Sequence, residues 1–160
     1  MNKLLLKVSL AATLALPAAG AMAGATVTFV HPEQYMDMPF SSIDRDQILR
    51  EISDHFNKLA ARLPAGQDLT IEVLDVDLAG HLWPSAHSGK EIRILKGGAD
   101  WPRMTLRYTL SEGGKVLASG QDDLSDMNYM YHHNRYFSSE SLRYEKNMID
   151  EWFDKRLAVR

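Results

Sequence analysis

Residues 128 to 136 read NYMYHHNRY, with three tyrosines, two adjacent histidines and an arginine in nine positions. Phenol, imidazole and guanidinium groups combine contact area with polar tips, which is the composition of recognition surfaces. Imidazoles also bind metals, but His132 and His133 are neighbours in sequence. On a strand they point to opposite faces and on a helix they diverge by about 100°, so they are poor partners for one ion. Contact with a protein or small ligand is the chemistry that this stretch suits. Tyr129, Tyr131, His132 and Arg135 are the candidates, with Trp83 and Trp101 as further aromatic contacts. The plainer alternative is that Tyr129 and Tyr136 merely fold the segment onto the rest of the chain.

A second constellation is acidic. Asp75 and Asp77 lie two apart in an apolar alternation, so on a strand they share one face while Leu74, Val76 and Leu78 point the other way. Paired carboxylates can hold a hard cation or divide acid and base roles. With Asp126 and a histidine they would make a metal-assisted hydrolase, the alternative function. A half-buried sheet also puts acids on its wet face, and that is the simpler account.

Positive catalytic signals are missing. The six histidines form no HExxH spacing and the chain has no cysteine, so no metal site is assigned. GxSxG, P-loop and GxGxxG patterns are absent as well, and no cofactor or catalytic residue is assigned. His55 falls at the margin of a helical apolar arc, where a boundary hydrogen bond is expected. Glu145 falls inside the apolar arc of another helix. An acid aimed at a core needs a donor, and an arginine such as Arg107 or Arg135 is the expected partner.

These side chains need a scaffold. TVTFV (26 to 30) reads as a strand. Asp44 and Gln47 resemble a capping box for a helix running to Leu63, whose Ile48, Leu49, Ile52, Phe56, Leu59, Ala60 and Leu63 form a single stripe. In DLTIEVLDVDLAG (68 to 80) the alternation slips phase, and a β-bulge near Val73 and Leu74 would put all six large apolar residues on one face. GHLWPSAHSGK reads as a loop, EIRIL (91 to 95) as a short strand, and RMTLRYTL and KVLASGQDDL as a hairpin turning at Gly113 and Gly114. Ser138 or Ser139 is expected to cap a second helix ending near Leu157. The fold class is α+β: a mostly antiparallel four- or five-stranded sheet with two amphipathic helices on one face, in the order β-α-β-β-β-β-α.

The first residues carry an address. Lys3 and Lys7 precede an apolar run, Pro17 and a small-residue exit at Ala21-Met22-Ala23, the order of a secretory signal peptide. The run is far short of the roughly 20 residues that span a bilayer. Residues 1 to 23 are therefore read as a signal peptide and 24 to 160 as a single domain, with Gly24 and Ala25 a frayed lead into the first strand. No membrane span is expected after cleavage, and the location is periplasmic or secreted. Cleavage would shift the net charge from -3 to -5 by removing Lys3 and Lys7. That balance argues against nucleic acid and leaves an envelope protein or small ligand as the expected partner.

LDVDLAG (74 to 80), GGADWPRMTLRYTL (97 to 110), LSDMNY (124 to 129) and RYEKNMIDEWF (143 to 153) together resemble the bacterial family catalogued as domain of unknown function 3016. The likeness runs from TVTFV to WFDKRL. It implies an exported small domain and supplies no catalytic residues. The preferred reading is an exported, non-enzymatic interaction module.

Overall fold

A computed structural model describes residues 23–85 and 91–157 of the chain. The signal peptide expected over residues 1 to 23 lies, apart from Ala23, outside the described residues. In chain order the elements are β1 (Gly24–Phe29), α1 (Ser42–Ala60), β2 (Gln67–Asp77), β3 (His81–Pro84), β4 (Glu91–Ile94), β5 (Arg103–Glu112), β6 (Lys115–Ser125) and α2 (Arg143–Arg156). The main sheet has the order β1-β2-β5-β6, with β1 parallel to β2 and the other pairs antiparallel. The fold is α+β, as its apolar periodicities imply.

Several local features come directly from residue type. In β2 the pairing slips between Val73 and Asp75, leaving Leu74 as the extra residue of a bulge. Leu69, Ile71, Val73, Val76 and Leu78 consequently all reach the core, while Leu74 itself remains half-buried. Five of the six expected residues thus share the face, because the bulged residue is the one that does not fit the pleat. Gly113 and Gly114 have φ of 56° and 81° and join β5 to β6 in a two-residue turn. Both central positions of such a turn need positive φ, which glycine adopts without steric cost.

The helix starts differ from the sequence expectation. Ser41, not Asp44, caps α1: its extended backbone lets Oγ accept from the Asp44 amide at 3.3 Å, and Gln47 bonds Glu51 instead. α2 begins at Arg143, because Leu142 adopts a left-handed φ of 52° that breaks any helix running in from Ser138 or Ser139. Residues 81–84 pair with β4 as a separate two-stranded ribbon rather than forming a loop. Gly24 and Ala25 belong to β1 and are not frayed, since Gly24 pairs with Asp68 and Ala25 with Leu69.

Both helices cover one face of the main sheet. Phe56 of α1 meets Trp152 of α2 edge to face at 6.1 Å, and Tyr108 of β5 reaches the same indole at 5.6 Å. Truncating a fully buried side chain such as Phe56 to alanine costs about 3–5 kcal/mol. The opposite face is a polar ladder: Arg107 bonds Glu72 and Gln121, Arg103 bonds Asp77, and Thr105 bonds Asp123. Exposed aromatic groups lie instead on the ribbon, on the 126–142 connection and, as Phe40, just ahead of α1.

Candidate functional site

Asp100 organises the region around NYMYHHNRY. Its buried carboxylate accepts from the Lys96 and Gly98 amides, each at 2.8 Å, and from the Tyr129 hydroxyl at 3.0 Å. Burial opposes its ionisation, but these three donors outweigh that cost and hold the carboxyl below its usual range. Burial and the adjoining carboxylate push the Tyr129 hydroxyl up to about 12. Tyr129 also meets Tyr144 of α2 edge to face at 4.8 Å. It is 2% exposed, so it anchors the loop and presents no contact area of its own.

The anchor sets the position of the two residues after it. Gly97 has a φ of 69°, and a Cβ there would stand 2.8 Å from Met130 Sδ and 3.5 Å from the Tyr131 hydroxyl. Met130 and Tyr131 therefore lie against the bare Gly97 backbone, next to Lys96, whose ammonium sits 5.6 Å from the centre of the Trp83 ring. Trp83 and Tyr131 thus meet the successive residues Lys96 and Gly97, with Tyr131 80% and Trp83 57% exposed. Gly80, with φ of 83°, lets the β3–β4 ribbon close: a Cβ would lie 2.5 Å from the Ile94 carbonyl oxygen. Phe137, on the same connection, is also exposed.

The remaining candidates are dispersed. Trp101 is half-buried beneath the Arg103 guanidinium, at 5.3 Å. Arg135 is exposed and pairs with Asp154 at 3.1 Å. Asp77 is held by Arg103 at 2.6 Å, and Asp75 lies exposed on the same strand. Asp126 meets His132 at 2.6 Å through Nε2, while His132 Nδ1 faces the His133 carbonyl at 3.1 Å. Only the imidazolium can donate to both acceptors at once. Burial disfavours that charge, yet the Asp126 bond prevails and the His132 pKa is raised. Among the described residues no group of three or more His, Asp or Glu is arranged to hold a metal ion. With both ring nitrogens engaged, the imidazole has none free to take a proton from a substrate, so the pair orients the loop and offers no base in this arrangement.

Two polar contacts at Asp150, one of them fully buried, explain how the connection is held. His55 Nε2 lies 2.8 Å from Asp150 Oδ1, and the Tyr136 hydroxyl donates to Asp150 Oδ2 at 2.7 Å. This ties α1, α2 and the loop together, and the expected boundary bond of His55 is realised with an acid 95 positions away. Glu145 does not pair with Arg107 or Arg135. Its Oε1 accepts from the Ala79 amide at 2.7 Å, and burial raises its pKa. Arg107 is engaged on the polar face of the sheet and Arg135 at the surface, so neither guanidinium reaches the core. Sequence reasoning also passed over Asp100, although an Asp two residues past Gly98 is the residue type that bonds nearby turn amides.

Among the described residues no helix is long and apolar enough to cross a membrane. The chain matches no curated protein and no solved structure. It does match, over residues 23–155, the family described as Protein of unknown function (DUF3016), and with most of its length covered the chain belongs to that family.

Proposed function

We propose that this protein acts outside the cytoplasm, in the periplasm or secreted, as a non-enzymatic module that contacts an envelope protein or small ligand through the Trp83, Lys96, Met130 and Tyr131 patch. The observation that carries this reading is the buried Tyr129–Asp100 bond, which holds Met130 and Tyr131 against the Gly97 backbone and leaves Tyr131 in solvent. Exposed aromatic groups on a fixed support lose little conformational freedom on binding, so more of their contact energy becomes affinity. The order of residues 1 to 23 supports export. N-terminal sequencing of the protein recovered from cells tests the address: a start at Gly24 supports it, and a start at Met1 opposes it. Capture from envelope extract by wild type, against a folded Trp83→Ala, Tyr131→Ala double variant, tests the surface. Equal capture removes the patch from consideration.

The alternative is a metal-assisted hydrolase, in which Asp126 and His132 would exchange their mutual hydrogen bond for a metal ion. Titration calorimetry with manganese or zinc separates it. Saturable binding lost in Asp126→Asn would support it, and no binding heat would leave the interaction module alone.

A further inference from the structure

The main sheet has two edges, and they are built differently. β6 carries an extra residue at Leu117, where the register with β5 shifts, and adjacent acids at Asp122 and Asp123. Bulges and charges are devices that discourage a further strand from pairing. β1 has neither: GATVTF contains no charge and no proline, and its register with β2 is unbroken. The Val30 amide donates to the Val73 carbonyl at 2.9 Å. By alternation, the amides and carbonyls of Ala25, Val27 and Phe29 point away from β2. The Asn57 carboxamide covers the Ala25 amide at 3.3 Å, so the outward backbone is centred on Val27 and Phe29.

We infer that β1 is a dimerisation edge, at which two copies of this chain pair their β1 strands antiparallel about Thr28. Two four-stranded sheets would become one continuous sheet. In that register Val27 and the partner's Phe29 exchange their outward backbone hydrogen bonds, and Thr28 faces its own copy across the axis. Ala25, Val27 and Phe29 already lean on the core from the helix side, and the new strand extends that apolar row.

Charge favours a second copy over an unrelated strand. The groove between β1 and α1 is lined by Phe29, Leu49 and Ser53 together with Asp46 and Arg50. α1 runs opposite to β1, since Asn57 reaches Ala25 while Arg50 flanks Phe29. A two-fold axis through Thr28 therefore sets the two α1 helices antiparallel and brings Arg50 to the level of the partner's Asp54. Among the described residues Asp46, Arg50 and Asp54 take part in no ion pair within the chain. Ser53, near the axis, is small enough to let the helices approach.

Sedimentation velocity on the purified exported protein tests this. Wild type is expected to dimerise as concentration rises. Val27→Pro removes only an outward amide and should leave a folded monomer. Arg50→Asp should weaken dimerisation by about tenfold or more through like charges, and adding Asp54→Arg should restore it. A monomer at every concentration would overturn the inference. So would a dimer indifferent to both Val27→Pro and Arg50→Asp, or one lost only on Trp83→Ala or Tyr131→Ala.

Discussion

The Tyr129 hydroxyl donates to Asp100 Oδ1 at 3.0 Å, and this buried contact joins the 126–142 connection to the turn after the β3–β4 ribbon. Tyr129→Phe keeps the ring against Tyr144 and deletes only the bond. A hydrogen bond to a charged acceptor contributes about 1.5–3 kcal/mol, and that loss is expected in urea unfolding of the variant. Amide exchange at residues 130 and 131 should quicken in parallel. A variant as stable and as protected as wild type would mean that the loop is anchored elsewhere.

Glu145 separates two kinds of substitution. Glu145→Gln keeps an oxygen for the Ala79 amide and removes the group whose ionisation burial opposes, so it should melt no lower than wild type. Glu145→Ala leaves that amide without its acceptor and opens a cavity, at about 2–4 kcal/mol. The pH dependence has a definite sign. Burial raises the folded pKa of Glu145, so its contribution is most favourable below the unfolded value and is lost as pH rises through the folded one. Glu145→Gln should flatten that decline in thermal melts across the acid range.

His132 gives a second window. Its folded pKa is raised, so the contribution is fully present below the unfolded value of about 6.5 and is lost as pH rises through the folded pKa. Wild type should exceed His132→Gln in stability at about pH 5.5, with the gap narrowing toward pH 8.5. A gap that widens with pH would contradict the Asp126 pairing.

Much of the scaffold could be read from spacing alone. Ile52, Phe56 and Leu59 recur at helical intervals, the phase slip at Val73 and Leu74 announces the bulge, and the adjacent glycines announce the hairpin. What stayed hidden depends on partners far away in sequence or on single dihedrals. The Ala79 amide that meets Glu145 is a backbone group 66 positions away, invisible to any search for an opposite charge. Leu142 shows no sign in its residue type of the left-handed φ that delays α2. HLWP is too short, and ends in a proline, to read as a strand until β4 lies beside it. The candidate surface divided in the same way. Tyr131 and Trp83 are exposed as a recognition surface requires, while Tyr129 is the buried anchor and Trp101 is half covered by Arg103.

Side-chain truncation on the patch should leave stability alone. Trp83 and Tyr131 are mostly solvated, so Trp83→Ala and Tyr131→Ala are each expected within about 0.5 kcal/mol of wild type in chemical denaturation. A larger loss would make the patch part of the packing.

Site-specific photo-cross-linking tests the proposed surface most directly. A benzophenone side chain is placed at Tyr131 and, as a control, at Thr70 on the polar face of the sheet, and the cells are irradiated. A discrete adduct from position 131 in the envelope fraction, and none from position 70, is the expected result. No adduct at 131, or the same products from both positions, would contradict it.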